Sequence, residues 1–378
     1  MGSDILVLGA VGDLILDAPG PDAYFEPSLE VLRSFDVLIG HVETPYTLRG
    51  HEESTDVAAP ACPPDRLDAL GRAGFTIGTL AGNHIADRGA PGVADTLAAL
   101  HRLGIATAGA GPDLAAARRP AVVERGGLRV GVLSYNCVGP DGAKATSGKA
   151  GAAYVDVHTV YGKPFGGPGG MPMEISTFLD RRSLAAFQDD VQALRGDVDV
   201  LIVALHKGVL HVPVEIAQYE VDLARAAVDA GADAVLGHHA HILKGVQIHA
   251  GKPVFHGLGN FVTVTSALSP SPDNSPERRA WAARRRRLAG FDPDPAMPRY
   301  PFHPESRNTG IAILRVGSHG VTAGFLPCWI DDDARPVPVT GDRGEAVVRY
   351  LERISREAGF AVRMDWDGRT AAVHPITA

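Results

Sequence analysis

The chain has 378 residues, 36 of them Lys or Arg and 44 Asp or Glu, for a formal charge of −8. Apolar residues make up 45% and charged residues 21%, which excludes wholesale disorder and a coiled coil; the length suits one large domain or two modest ones. No apolar run reaches the ~18 residues of a membrane span, no basic-then-apolar leader opens the chain, and an acidic balance argues against nucleic acid as a partner.

In chain order, short β-branched apolar runs fall at 4–9, 36–40, 75–80, 129–134, 198–205 and 232–236. They are continuous rather than alternating, which is the pattern of strands covered on both faces. Between them, 64–74, 92–104 and 215–230 space their apolar residues three to five apart, as amphipathic helices do, with glycines near the ends as stops. This predicts an α/β domain. Two segments interrupt it. Residues 139–173 hold nine glycines and no period, and read as a long loop or an ordered insert over a site. Residues 269–306 are rich in Pro, Ser, Asp and Arg; the run Arg284-Arg285-Arg286-Arg287 reads first as the solvated face of a helix over 276–288, with contact to an anionic substrate as the alternative. Strand text returns at 310–316 and 321–326. A helix at 344–357 and a hairpin around Asp367-Gly368 end the chain. The expected division is a catalytic domain over 1–330 and an extension over 331–378.

The chain has 15 histidines and 3 cysteines. Cys62, Cys137 and Cys328 are far apart and form no CxxC, so inert thiols and a reducing, cytoplasmic setting are expected. The ratio turns attention to imidazole chemistry. Near the end of five of these six runs stands a polar residue able to bind a metal: Asp13 after Gly12, Glu43 in His41-Val42-Glu43, Asn83 in Gly82-Asn83-His84, His206, and His239 and His241 in Gly237-His238-His239-Ala240-His241. In an open sheet these ends share one edge, so donors from separate strands can converge. Mixed oxygen and imidazole donors suit Mn, Fe or Zn, and a pair of ions with a bridging carboxylate would be served by this set. Alternation along an extended segment would put His239 and His241 on one side.

The order of these motifs resembles the calcineurin-like metallophosphoesterase superfamily and, more closely, its CapA/PgsA family, associated with poly-γ-glutamate capsule biosynthesis. The resemblance covers about residues 4–265 and also includes Asn83-His84-Ile85-Ala86-Asp87-Arg88-Gly89, Leu205-His206-Lys207-Gly208 and Gly257-Leu258-Gly259-Asn260-Phe261. It implies a four-layer α/β fold, a metallophosphoesterase-like β-sandwich flanked by helices. It also implies two divalent ions (Mn, Fe or Zn) held by Asp13, by Glu43 as the bridge, and by Asn83, His206, His239 and His241. His84 resembles the non-ligand histidine beside the reacting group, with Asp87 to orient it. Asn260 is a further candidate around the ligands, and Lys207 and Arg88 are candidate substrate contacts.

Three departures stand out. Ile15 occupies a place where the superfamily often has histidine. His41 replaces an asparagine usual in the family; it is either an extra ligand or, the preferred reading, a group behind the ligands that orients them. His238 is ambiguous too, with a hydrogen-bonded core residue preferred. The remaining nine histidines need no special role. After His206, Lys207-Gly208-Val209-Leu210-His211 differs from the family's usual text, so substrate contacts have changed. The leading expectation is hydrolysis of a phosphoester by a metal-bridging hydroxide. The alternatives are cleavage or formation of a γ-glutamyl amide in a small metabolite or polymer, and a non-catalytic accessory role. The partner expected is a small-molecule, γ-glutamyl or phosphorylated substrate, with neither membrane nor nucleic acid.

Overall fold

The computed structural model describes residues 6–53, 61–162, 174–267 and 275–376. Two mixed sheets dominate. The larger, ten-stranded sheet runs β19 (Val362–Trp366), β20 (Ala371–Pro375), β17 (Gly320–Ile330), β16 (Asn308–Gly317), β1 (Leu6–Leu16), β2 (Val37–Val42), β3 (Ile77–Thr79) and β4 (Ala106–Ala108). Off this path, β15 (Asn260–Val264) pairs with β1 and β18 (Pro336–Pro338) with β17. The six-stranded sheet runs β13 (Leu243–His249), β14 (Lys252–Leu258), β12 (Ala234–His239), β11 (Val200–Lys207), β7 (Leu128–Asn136) and β6 (Ala121–Arg125). Two short pairs complete the set: β5 (Ala110–Gly111) with β8 (Gly151–Ala152), and β9 (Val157–Gly162) with β10 (Glu174–Leu179).

Strand alternation explains the layering. Leu6, Leu8 and Ala10 of β1, Val37 and Ile39 of β2, Val200 and Ile202 of β11, and Ala234 and Leu236 of β12 all enter one core between the sheets. Their neighbours Leu38, Val42, Leu201, Val203 and Val235 point outward. Helices cover those outer faces. On the larger sheet lie α1 (Asp22–Phe25), α2 (Leu29–Leu32), α3 (Asp68–Ala73) and α4 (Gly89–Arg102), through Phe25, Leu32, Leu70 and Leu100. On the smaller sheet lie α5 (Leu114–Ala117), α6 (Arg181–Arg195) and α7 (Gln218–Asp229), through Ala117, Phe187, Val191 and Leu223. Apolar side chains are therefore needed on both faces, which is why the runs are continuous. The fold is α/β, a sandwich of sheets flanked by helices, as expected.

The later part of the chain joins the same body. The β19–β20 hairpin lengthens the larger sheet through β17. Val347, Val348, Leu351 and Ile354 of α9 (Gly341–Glu357) enter the inter-sheet core. In the second insert, α8 (Pro276–Ala289) leaves Arg284 and Arg287 exposed, as a solvated face should be. Residues 4–5 of the first run, 163–173 of the first insert and 269–274 of the second lie outside the described residues, as do the side chains of Arg285 and Arg286.

The thiols match the inert reading. All three are free, and burial, the largest cause, pushes those of Cys62 and Cys137 up to about 12. Among the described residues, no helix is long and apolar enough to cross a membrane.

Candidate metal centre

The inter-sheet face does not stay apolar to its end. His41 continues the series Val37, Ile39; His206 continues Val200, Ile202, Ala204; His238 continues Ala234, Leu236. Both sheets are parallel here, so their carboxyl ends coincide and the three rings meet. His41 lies between the others, 4.6 Å from His206 and 4.7 Å from His238 between ring centroids. A bulge in β1 after Ala10 sets Asp13 opposite His41. Gly12 is required at that bulge, because a Cβ there would stand 2.0 Å from the Gly259 carbonyl oxygen.

Around Asp13 the remaining donors assemble. Its Oδ1 lies 3.4 Å from His238 Nδ1 and its Oδ2 3.4 Å from His241 Nδ1. His241 Nε2 lies 3.2 Å from Glu43 Oε1. On the other side, His206 Nε2 is 2.8 Å from Asn83 Oδ1 and 3.1 Å from His239 Nδ1. Two groups are compact enough to hold an ion: Asp13, His41 and His206, and Asp13, Glu43 and His241, each with its ligand atoms within 4.8 Å of one another and all residues buried. The carboxylate common to both is Asp13, whereas the family resemblance implied Glu43 as the bridge.

Divalent metal fits these residues. Both carboxylate oxygens of Glu43, Nε2 of His41, Nδ1 of His206 and both nitrogens of His238 are buried with no hydrogen-bond partner. Glu43 Oε1 does have His241 Nε2 at 3.2 Å as an ion-pair neighbour. Buried polar atoms are normally satisfied, so such a concentration is one that a cation could satisfy. His238 is 1% exposed, with Nδ1 facing Asp13 at 3.4 Å and Nε2 without a hydrogen-bond partner among the described residues.

The protonation pattern points the same way. Burial first, and the neighbouring imidazoles second, push His41 down to about 3. His239 is pushed down to about 3 by burial and by His241, and His206 well below its usual value by burial and by His41. Neutral imidazoles are the form that binds metal. Burial opposes charge on His241 too, but the Glu43 and Asp13 carboxylates raise it to about 10. Burial pushes Asp13 up, yet His238 and His241 hold it well below the carboxylate range. The His241 proton thus balances carboxylates that a bound ion would neutralise instead.

His84 is different. Its side chain is 18% exposed while Asp87 is buried at 2%. Its Nδ1 lies 2.8 Å from Asp87 Oδ2, and Asn83 Nδ2 lies 3.1 Å from its Nε2. Asn260 Oδ1 sits 2.8 Å from His241 Nδ1, so this amide orients a candidate ligand from behind. The glycine-rich insert begins directly on the site: at Gly139, φ +83, a Cβ would stand 2.3 Å from Cβ of Asn83.

Other expectations need correction. Lys207 faces away from the centre, because alternation on β11 sends it to the side opposite His206. Its ammonium is fully buried, 3.1 Å from Glu220 Oε2. It cannot be a substrate contact. Arg88 stands at the N-cap of α4, and among the described residues its Nε is buried without a hydrogen bond; no described contact ties it to the cluster. His239 and His241 do converge, but not through alternation. β12 ends at His239, and both residues take positive φ, +87 and +52, in a turn. His211 is one of the nine histidines for which the sequence suggests no role. It too has positive φ, +59, and its ring stacks 5.9 Å from His241, while Phe302 packs 4.9 Å from His241. Three histidines in this uncommon backbone region at one site are the kind of strain found where function over-determines conformation. The altered text after His206 was the only signal for His211; nothing local marked Phe302.

Comparison with known proteins agrees with this architecture. Residues 4–265 match the family model described as bacterial capsule synthesis protein PGA_cap. The capsule biosynthesis protein CapA of Bacillus anthracis is 27% identical over 268 residues, covering 68% of this chain and 59% of that protein. The PGA biosynthesis protein CapA of Bacillus subtilis is 26% identical over 276 residues, covering 68% and 63%. A probable polyglutamine synthesis accessory protein of Mycobacterium tuberculosis is 29% identical over 239 residues, covering 60% and 55%. The match thus spans about three fifths of the length of these relatives. Among solved structures, GAP50, the anchor in the inner membrane complex of Plasmodium, aligns over 92% of this chain and 94% of its own at 8% identity and a TM-score of 0.34. With more than half its length matched by the family model, the chain belongs to the bacterial capsule synthesis protein family PGA_cap.

Proposed function

We propose that this protein is a metal-dependent hydrolase whose centre is built from Asp13, Glu43, Asn83, His206, His239 and His241, with two divalent ions and a phosphoester as the leading substrate class. The observation that carries the reading is the buried cluster of carboxylate and imidazole donors that converges on Asp13, two groups of which have their ligand atoms within 4.8 Å of one another. Two bound ions would polarise the scissile group and make a water acidic enough to act as nucleophile near neutral pH. The protein's own contribution is positional. Asp87 Oδ2 orients His84 through Nδ1, and Nε2, which faces the Asn83 amide at 3.1 Å, would pass a proton to a leaving oxygen once substrate displaces that contact. Because His84 is the exposed edge of an otherwise buried cluster, substrate meets this ring first. Asn83 fixes both neighbours at once, its Oδ1 toward His206 and its Nδ2 toward His84.

A second reading keeps the centre and changes the bond. The relatives named for capsule and PGA biosynthesis support a γ-glutamyl amide as substrate, with the same ions polarising a carbonyl. The relative named as an accessory protein supports a non-catalytic role. One experiment separates these. The Mn²⁺-loaded protein is offered aryl phosphates, nucleotides and γ-glutamyl amides, with product release followed for each. Turnover of phosphoesters alone is the expected result. Turnover of amides alone moves the assignment to the second reading, and no turnover of any substrate at full metal loading contradicts hydrolysis.

A further inference from the structure

We propose that His41 is itself a metal ligand, its Nε2 joining Asp13 and His206 around one ion. The inference rests on the reading above that the cluster binds metal, and it replaces the expectation that His41 only orients the ligands.

The ring's environment decides its role. His41 is fully buried, and its Nδ1 lies 3.1 Å from Thr79 Oγ1. The Thr79 hydroxyl donates to the Gly40 carbonyl at 3.4 Å, which leaves its oxygen free to accept the Nδ1 proton. That pairing fixes the tautomer with Nδ1 protonated, so Nε2 presents a bare lone pair. Nothing in the described protein uses it, since Nε2 has no hydrogen-bond partner. A histidine that merely orients others would employ both nitrogens, and a residue that merely fills space would continue the apolar series Val37, Ile39 on the same face. The arrangement present is that of a metal-binding imidazole, one nitrogen anchored behind and the other aimed forward.

The surroundings are shaped to match. Asp13, His41 and His206 each offer a ligand atom within 4.8 Å of the others. Residue 82 is glycine, and a Cβ there would stand 3.1 Å from His41 Nε2, so any side chain would crowd the lone pair. One carboxylate with two imidazoles favours iron, cobalt or zinc over magnesium or calcium, which prefer all-oxygen sites. The donor set therefore gives this position a metal class as well as a ligand.

The test uses the full chain loaded with Co²⁺. A ring N–H on a cobalt-bound imidazole is shifted far outside the diamagnetic proton range and exchanges with solvent. The expected result is that His41→Asn removes one such signal, alters the visible cobalt spectrum and weakens Co²⁺ binding about tenfold or more. Thr79→Val should retain that signal but speed its exchange, because the proton loses its acceptor; this variant keeps the test open should His41→Asn not fold. Shifted signals and a cobalt spectrum unchanged in both variants would overturn the ligand role while leaving the metal centre standing. A wild-type chain that binds no Co²⁺ would overturn the inference and the metal reading together.

Discussion

Asp13→Asn is expected to lower metal-dependent turnover by about a thousandfold or more. The carboxylate belongs to both compact donor groups, so removing its charge weakens both positions at once. Metal ions contribute several kcal/mol of transition-state stabilisation, and each ~1.4 kcal/mol is a factor of ten. Asparagine keeps the shape of the side chain, which is fully buried, so the sandwich should fold. The diagnostic is a separation of effects. In wild type, saturating Mn²⁺ binds only the native state and should stabilise it by about 2.7 kcal/mol at a hundredfold excess over Kd, which raises the thermal midpoint. Asp13→Asn should abolish that rise. His84→Ala, by contrast, should retain the rise while losing about 10²–10⁴ in kcat, because His84 is turned to Asp87 and is not among the proposed ligands. Calorimetry and initial rates on the two variants check both halves, and equal metal stabilisation in wild type and Asp13→Asn would contradict the assignment.

The second large effect lies behind the centre. Glu220→Ala is expected to destabilise the protein by about 3–5 kcal/mol, the cost of stranding a buried charge. Glu220 is fully buried and answers two ammoniums: Lys207 Nζ at 3.1 Å from Oε2 and Lys244 Nζ at 3.4 Å from Oε1. It also accepts from the Ala217 backbone at 2.9 Å, closing the N-terminus of α7. Removing it leaves two buried cations without their carboxylate. Burial pushes the Glu220 carboxyl up, but Lys207 and Lys244 hold it below its usual value. Its contribution is therefore present above the unfolded value near ~4.3 and lost as pH falls through the folded one. Burial lowers Lys244 to about 8 even with Glu220 present. Without Glu220 its folded value drops further while the unfolded one stays near ~10.4. The variant then sheds this proton on folding from a lower pH than wild type, so its stability rises with pH earlier. The deficit measured by urea unfolding should be larger at pH 6 than at pH 8.5. A denaturation midpoint unchanged from wild type would contradict the role.

The architecture was readable where strands are covered on both faces. The runs of β1, β2, β3, β7, β11 and β12 are continuous and apolar, and all but β7 carry candidate ligands at or near their ends. Elements without that signal were not foreseen. β6 reads Ala-Val-Val-Glu-Arg with one buried residue, β9 is exposed along most of its length, and α6 places only Phe187, Val191 and Leu194 in the core. The candidate site was readable as a list of donors, since each polar residue interrupts an apolar run at its end. Direction was not. Lys207 adjoins His206 but points to the opposite side of β11, and His239 and His241 converge through left-handed backbone that no alternation rule contains. Neighbours brought from remote segments were also invisible: Phe302, and Tyr300, whose hydroxyl lies 3.1 Å from Asn260 Nδ2, come from the second insert.

Metal binding by the donors around Asp13 is the property from which the proposed chemistry follows. The full chain, reconstituted with Mn²⁺, freed of unbound ion and analysed for elemental content, should retain two divalent ions per chain in wild type and His84→Ala, with loss in Asp13→Asn. A wild-type protein that retains none would contradict the account.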